Sequence, residues 1–268
     1  MKFSDLFKSN KKTDKQNSGM NQEMTSVTNS ATSNSVESSN TATYNSSFSS
    51  TDGSKASTGE KKVRVFNLII LDESGSMISI YQPALTGVNE TLQTIRDASK
   101  EHPEQEHFVS LVAFDTGHYN KIYDAVAASD AQDITQDKYR PNGGTPLYDA
   151  MGRSLNELKS KIGKDDVVLV TIITDGYENA SREYNGPAIK ALVESLRKEG
   201  WVFTYIGANQ DVEKVAESMA INNSMAFQAS EEGTRMMFGK EMCSRKNFYR
   251  KINPDGKNDK LGEGFFGK

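Results

Sequence analysis

The chain has 268 residues, a formal net charge of −4 and a single cysteine, Cys243. This length predicts one or two domains, and the mildly acidic balance argues against a nucleic-acid-binding face, which requires clustered lysine and arginine. One cysteine excludes an internal disulfide, and a reducing compartment is the simplest context.

The N-terminal region is polar throughout. Residues 25–51 consist mainly of Ser, Thr and Asn, and such a stretch buries too little apolar surface to offset the entropy of ordering it. We therefore expect residues 1–60 to form a disordered tail. The first residues turn polar too early for a signal peptide, and no stretch reaches the ~20 apolar residues of a membrane helix. These features predict a cytoplasmic protein without a membrane span.

Strand patterns begin at Val63 and continue through the rest of the chain. In chain order they lie at residues 65–71, 108–114, 121–126, 167–174, 201–206 and 224–228. The first and fourth are nearly continuous apolar runs, as expected for strands buried on both faces of a parallel sheet. The third and sixth are weaker and are interpreted as edge strands.

Helical patterns lie between the strands. Apolar stripes at a spacing of three and four residues occur at residues 85–95, 147–162, 189–196 and 212–219, and a last helix is expected through Met236, Met237 and Met242. We expect Thr145 to cap the second helix, Pro187 to open the third, and Ser230 to cap the last. Strand–helix alternation of this kind predicts an α/β fold with a doubly wound sheet and helices on both faces.

Three polar segments lie where such a sheet binds its ligands. Asp72, Ser74 and Ser76 follow the first buried strand, Asp175 closes the fourth, and Thr145 follows a glycine pair at a helix start. Open α/β sheets bind ligands beyond the carboxyl ends of their strands, near the point where strand order reverses. We therefore expect these five side chains to converge.

The five side chains are all hard oxygen donors, without sulfur or imidazole. Such a set favours Mg²⁺, with Mn²⁺ or Ca²⁺ as alternatives, over zinc or copper. If the two aspartates act mainly through water, the direct ligands are uncharged and the metal retains positive charge that attracts an external anion. Each segment taken alone could equally be structural, as a strand end, a turn or a helix cap.

Taken together, Asp-x-Ser-x-Ser, Gly-Gly-Thr-Pro-Leu and Thr-Asp-Gly resemble the metal-ion-dependent adhesion site of von Willebrand factor A (vWA) domains, over about residues 62–230. The chain is similar to stand-alone intracellular bacterial members, including tellurite-resistance-associated vWA proteins. The resemblance implies a Rossmann-like, mostly parallel sheet with one antiparallel edge strand. We assign residues 61–250 to the vWA domain and residues 251–268 to a flexible C-terminal tail.

The resemblance also implies roles for the candidate ligands. Ser74 and Ser76 would bind the metal directly, and Thr145 would do so in the ligand-bound arrangement. Asp72 and Asp175 would often act through water. The implied partner is a protein that donates an Asp or Glu carboxylate to the metal.

The leading hypothesis is therefore a metal-dependent protein-binding module and not an enzyme. The alternative is a metal-dependent phosphohydrolase or phosphotransferase. Against it, Ser74 stands where an Asp-x-Asp pair would need its second aspartate, no phosphate-binding glycine loop is present, and no His or Lys lies near the motifs. A third hypothesis is a scaffold that acts through its disordered tail.

Several residues outside the five have open roles. Asp115 is either a further carboxylate of the site or a turn residue, and Glu73 and Tyr177 are expected to face the rim and select a partner. Two remaining groups are interpreted as a solvated basic face (Lys240, Arg245, Lys246, Arg250, Lys251) and as helix packing (Met236, Met237, Met242). A third group is compatible with either a docking peptide or a loose end (Leu261, Phe265, Phe266).

Overall fold

The computed structural model describes residues 62–254, 258 and 260–267. This part of the chain forms a six-stranded sheet covered by five α-helices. None of its helices combines the length and the apolar character that crossing a membrane requires. The disorder expected for residues 1–60 lies outside the described residues.

The elements follow the predicted order. The strands are β1 (Val63–Asp72), β2 (Gln105–Phe114), β3 (Tyr119–Ala127), β4 (Val167–Thr174), β5 (Val202–Gly207) and β6 (Asn223–Ala226). The helices are α1 (Tyr81–Glu101), α2 (Leu147–Lys159), α3 (Gly186–Lys198), α4 (Val212–Ser218) and α5 (Glu231–Arg250), and a 3₁₀ helix (Gly75–Ile80) precedes α1.

The strand order is β3-β2-β1-β4-β5-β6. Neighbouring strands are parallel except β2 and β3, which pair in the antiparallel direction. The expected Rossmann-like sheet with one antiparallel edge strand is therefore confirmed. The chain leaves β1 towards β2 on one side and returns with β4 on the other, so strand order reverses between β1 and β4. A ligand site is expected at this point, beyond the carboxyl ends of both strands.

The sheet separates two apolar layers. Alternate residues of β1 point to opposite faces, so that Ile69 and Leu71 pack with α1 and α5, whereas Leu68 and Ile70 pack with α2, α3 and α4. All four are at most 1% exposed. Burial on both faces explains the continuous apolar run that predicted this strand.

Of the three predicted helix starts, that of α5 at Ser230 is confirmed, and that of α3 lies one residue before the predicted Pro187. Ser230 caps α5, and its hydroxyl accepts the backbone N–H of Gly233 at 3.1 Å. Pro187 is the second residue of α3, whose cap is the side chain of Asn185, accepting from the N–H of Ala188 at 3.0 Å.

The prediction that Thr145 caps α2 is wrong. The helix begins at Leu147, and no side chain at the cap position accepts a hydrogen bond. The loop after β4 satisfies the first turn instead: Glu178 Oε2 accepts the N–H of Tyr148 at 2.9 Å, and Ser181 Oγ accepts the N–H of Asp149 at 3.1 Å. The Thr145 hydroxyl is therefore not needed for capping.

The C-terminal segment differs from the flexible tail expected at residues 251–268. Leu261, Phe265 and Phe266 are each at most 8% exposed and belong to the apolar layer of α1 and α5. The rings of Phe265 and Phe248 lie 5.9 Å apart. Because these three side chains pack against apolar surface beside α5 and the sheet, they are part of the core.

Candidate metal site

Asp72 is the last residue of β1 and is fully buried. Its Oδ1 atom accepts the backbone N–H of Ser74 at 2.7 Å, and its Oδ2 atom accepts the hydroxyl of Thr174 at 2.6 Å. Thr174 is the last residue of β4. The carboxylate is thus held between the ends of the two strands that flank the reversal of strand order.

The two serines extend this arrangement towards solvent. The hydroxyl oxygens of Ser74 and Ser76 lie 3.1 Å apart, and the Ser76 hydroxyl donates to Asp175 Oδ1 at 2.5 Å. Ser74 is buried, whereas Ser76 is exposed. Four of the five predicted side chains therefore meet at one place.

Thr145 approaches from a third loop. A methyl group on Gly176 would lie 3.6 Å from Ser76 Oγ and 3.8 Å from Thr145 Oγ1, so both hydroxyls border the same small space beside Asp175. Thr145 is only 2% exposed. The structure thus brings together all five residues that were predicted as ligands from the sequence.

Backbone contacts hold the Thr145 loop in position. The N–H of Gly75 donates to the carbonyl of Gly143 at 3.0 Å, which joins this loop to the Ser74–Ser76 loop. Asn179 brackets Thr145, because its side-chain oxygen accepts the N–H of Thr145 at 2.8 Å and its own N–H donates to the Thr145 carbonyl at 3.1 Å. The sequence did not predict these contacts of Asn179, nor that of Thr174 with Asp72. Both residues stand beside Asp175 or close to it in the sequence, but their position does not show that they bind groups on other loops.

Burial shapes the charge of the site. It raises the pKa of Asp72 to about 6, although hydrogen bonds from Thr174 and Ser74 oppose the rise; the charge of Asp175 adds to it. Burial likewise raises the pKa of Asp175, against the hydrogen bond from Ser76. Within the described residues, no Lys, Arg or His forms an ion pair with either carboxylate. Two desolvated carboxylates without a basic counter-charge favour a bound cation.

The donor set decides which cation fits. No group of three or more His, Cys, Asp or Glu side chains in the described part of the chain is placed to share a metal ion. The candidate site consists instead of two carboxylates and three hydroxyls. Such oxygen donors fit a hard divalent cation that keeps water among its ligands, as Mg²⁺ does. The residues present are therefore compatible with the predicted metal.

Asp115 is a turn residue. Its Oδ1 atom accepts the backbone N–H groups of Gly117 at 2.5 Å and of His118 at 2.7 Å, and the residue is 4% exposed. These bonds stabilise the tight connection between β2 and β3. Of the two roles left open for Asp115, the structure thus supports the turn.

Glu73 and Tyr177 have different surroundings. The expectation that Glu73 faces the rim is wrong, since it is 5% exposed and its carboxylate accepts the backbone N–H of Arg140. Tyr177 does reach the rim and is 54% exposed. A residue next to a ligand position can thus point inward when a neighbouring loop offers it an N–H group.

Comparison with known proteins finds similarity in three-dimensional structure alone. No protein-family model and no curated protein matches the chain. Among solved structures, the vWF domain of the type V pili tip protein Mfa5 from Porphyromonas gingivalis matches with a TM-score of 0.50 and 11% identity, over 72% of this chain and 98% of that chain. The pilus adhesin SpaC from Lactobacillus rhamnosus GG, in its open conformation, matches with a TM-score of 0.50 and 16% identity, over 73% of this chain and 31% of that chain.

The PilB minor pilin from Streptococcus sanguinis has a TM-score of 0.48 and 13% identity, over 69% of this chain and 62% of that chain. This chain therefore spans less than two thirds of the PilB chain and less than a third of the SpaC chain. At such identities a likeness concerns architecture alone. Together with the sheet order, the likeness to the Mfa5 domain shows that this chain has a vWA-like fold.

Proposed function

We propose that this chain is a protein-binding module that holds a divalent cation and captures an Asp or Glu carboxylate of a partner protein. Mg²⁺ is the preferred cation, with Mn²⁺ or Ca²⁺ as alternatives. The observation that carries the proposal is the convergence of five side-chain oxygen donors from three loops (Asp72, Ser74, Ser76, Thr145, Asp175), two of them carboxylates without a basic counter-charge in the described structure.

The ligand chemistry explains why a carboxylate would be the partner group. Ser74, Ser76 and Thr145 offer neutral oxygens for direct contact, whereas Asp72 and Asp175 are engaged by Thr174 and Ser76 and would hold water ligands. A cation held mainly by neutral oxygens retains charge and accepts an external anion. The buried aspartates keep the cation in place without neutralising its open position.

We infer binding and not catalysis. In the described part of the chain, no His or Lys side chain hydrogen-bonds to any of the five residues, and the His118 ring contacts Asp115 instead. A phosphohydrolase built on this site would have no His or Lys to serve as general acid or base at the metal. Hydrolysis of p-nitrophenyl phosphate that requires Mg²⁺ and disappears in Asp72→Asn would overturn this inference.

The finer identity is also part of the proposal. We infer a bacterial vWA protein, similar to tellurite-resistance-associated members, that acts in the cytoplasm. The three-segment motif resemblance and the single Cys243 support this identity. Recovery of the chain in the cytoplasmic fraction of its native cells is the expected result, and recovery in the secreted fraction would contradict it.

The direct test uses short peptides that carry one central Glu or, as matched controls, one central Gln. With saturating Mg²⁺, we expect the Glu peptide to bind the full chain and the Gln peptide to bind much more weakly. Chelation by EDTA and the substitution Ser76→Ala should both abolish Glu-peptide binding. Ser76 is exposed, so its replacement leaves the core intact. Binding that is equal with Mg²⁺ and with EDTA would sink the metal-bridge proposal.

A further inference from the structure

Exposed large apolar side chains are rare on the described surface and are unevenly placed. Three occur there: Ile78 at 64% exposure, Tyr177 at 54% and Met236 at 70%. Ile78 follows Ser76 by two residues and Tyr177 follows Asp175 by two residues, and Ser76 and Asp175 are joined by a hydrogen bond. Two of the three exposed side chains therefore lie two residues along the chain from a candidate ligand of the metal site.

Folding does not account for the position of Ile78. It lies in the 3₁₀ helix Gly75–Ile80, in which residues three apart share a face. Met77 and Ile80 occupy the inward face and are fully buried. Ile78 consequently points to solvent, where an apolar side chain contributes nothing to the core. A polar residue would serve the fold equally well.

Tyr177 is exposed but not free. Its hydroxyl oxygen accepts the backbone N–H of Asp211, the cap residue of α4, at 3.3 Å. This bond restrains the ring at the edge of the site, so that a ligand packing against it loses little rotamer freedom. A restrained tyrosine beside an anion-binding position is typical of a residue that anchors a protein partner.

We propose that Ile78 and Tyr177, which together we call the apolar rim, select partner segments in which the metal-binding Asp or Glu has a large apolar residue beside it. This inference rests on the proposed function of the metal site. Carboxylates occur on every protein surface, so a metal alone cannot discriminate among partners, and the adjoining contacts must supply selectivity. Single apolar residues are ordinary on a surface; the reason to assign these two a role is that each lies two residues from a candidate metal ligand.

The experiment compares two fluorescent pentapeptides, Gly-Leu-Glu-Leu-Gly and Gly-Ser-Glu-Ser-Gly, by anisotropy with the full chain and saturating Mg²⁺. We expect the leucine peptide to bind about tenfold more tightly than the serine peptide, as for interface anchors. Ile78→Ser and Tyr177→Ser should each remove most of this preference and leave Mg²⁺ affinity unchanged, and Ile78→Ser should also leave thermal unfolding unchanged. Met236→Ser is the matched control, because it removes an equally exposed apolar side chain from α5, and it should keep the full preference.

The outcomes separate the apolar rim from the metal site. Equal affinities for the two peptides in the wild-type chain, both lost with EDTA, would overturn the apolar rim and leave the metal bridge standing. The apolar rim is likewise overturned if Ile78→Ser and Tyr177→Ser retain the wild-type preference. If neither peptide showed Mg²⁺-dependent binding, both proposals would be overturned. Mg²⁺-dependent self-association that Ile78→Ser abolishes would assign the rim to a second copy of this chain and overturn the acidic-peptide proposal.

Discussion

Thr174 hydrogen-bonds to the fully buried carboxylate of Asp72. Its hydroxyl donates to Asp72 Oδ2 at 2.6 Å, and this bond opposes the rise in the pKa of Asp72 that burial causes. We predict that Thr174→Val raises that pKa further and lowers Mg²⁺ affinity about tenfold, the usual effect of removing a hydrogen bond behind a metal ligand. Isothermal titration calorimetry checks this. Thr174→Ser keeps the donor and should bind Mg²⁺ as the wild type does, and equal affinity of the valine variant would refute the role.

Gly176 allows a second test at single-residue scale. An added methyl group would lie 3.6 Å from Ser76 Oγ and 3.8 Å from Thr145 Oγ1, which are ordinary contacts without a cation. We predict that Gly176→Ala changes the free energy of unfolding by less than about 0.5 kcal/mol but weakens Mg²⁺ binding, because the methyl group enters the space between two ligands.

The matched control is Gly239→Ala on α5, where an added methyl group meets nothing within 4 Å. This variant should bind Mg²⁺ normally and gain up to about 1 kcal/mol of helix stability. Calorimetry of both variants decides. Wild-type Mg²⁺ affinity in Gly176→Ala would show that the cation does not lie between these hydroxyls.

The sequence predicted the convergence of the five candidate side chains because they lie at strand ends and a helix start on one edge of the sheet, whereas their role as metal ligands stays a prediction. It could not identify Thr174, whose partner Asp72 lies 102 residues away and whose place in an apolar run indicates only a strand. It assigned Thr145 to capping because a Thr-Pro pair is typical of helix starts, whereas Glu178 and Ser181 satisfy those N–H groups across the loop.

At the scale of elements, β2 carries a pH-sensitive residue. His107 is 1% exposed, and burial lowers its pKa to about 4, with the charges of His102 and Arg245 adding to the effect. The unfolded chain takes up this proton near its ordinary value of 6.5, whereas the folded chain does not until about pH 4. We therefore predict that the contribution of His107 to stability is complete above about pH 6.5 and declines as pH falls towards 4, by up to about 3 kcal/mol.

Urea denaturation between pH 4 and pH 7 measures this decline. His107→Gln removes the titrating group, so its stability should depend less steeply on pH than that of the wild type. Parallel profiles for the two proteins would contradict the assignment of the decline to His107.

Helix α5 contains a buried ion pair, Glu241 with Arg245, and the arginine also hydrogen-bonds to the sheet. Arg245 contacts Glu241 at 2.7 Å and also donates to Asn67 Oδ1 of β1 at 3.0 Å and to Thr171 Oγ1 of β4 at 2.8 Å. The expectation that Arg245 belongs to a solvated basic face is therefore wrong. A run of basic residues does not reveal that one of them faces inward, where an acid four residues earlier neutralises it.

We predict that Arg245→Met costs about 3–5 kcal/mol of unfolding free energy, because Glu241 is then buried without its counter-charge. The double substitution Glu241→Leu with Arg245→Met removes both charges and should recover a large part of this loss. Urea denaturation of the three proteins measures it. If Arg245→Met alone were as stable as the wild type, the ion pair would not be needed for stability.

Strand prediction was most successful where burial on both faces leaves a continuous apolar run, as in β1 and β4. The edges were harder. The pairing of β2 with β3 shifts register between Val109 and Leu111 of β2 and again between Leu111 and Val112, and Ala125 of β3 adopts a φ of 53°. The regular alternation of an edge strand is therefore broken. The antiparallel direction of β3 was expected from the family resemblance, since its residue pattern alone does not encode direction.

At the scale of the whole molecule, strand order creates the site. Because β4 lies beside β1 on the side opposite β2, the ends of two strands far apart in sequence become neighbours, and Asp72 meets Thr174 and Asp175. Alternating strands and helices predicted the layers and the edge of the sheet at which ligands bind. They could not predict that Leu261, Phe265 and Phe266 are buried, because apolar residues in a glycine-rich segment show no helix or strand periodicity.

Calorimetric titration of Mg²⁺ into the full chain tests most directly whether the five oxygen donors bind one divalent cation. We predict saturable binding of one cation per wild-type chain. We also predict loss of that binding in Asp72→Asn and Ser76→Ala, the latter with unchanged unfolding in metal-free buffer because Ser76 is exposed. Absence of binding to the wild type, or equal affinity in both variants, would contradict the claim.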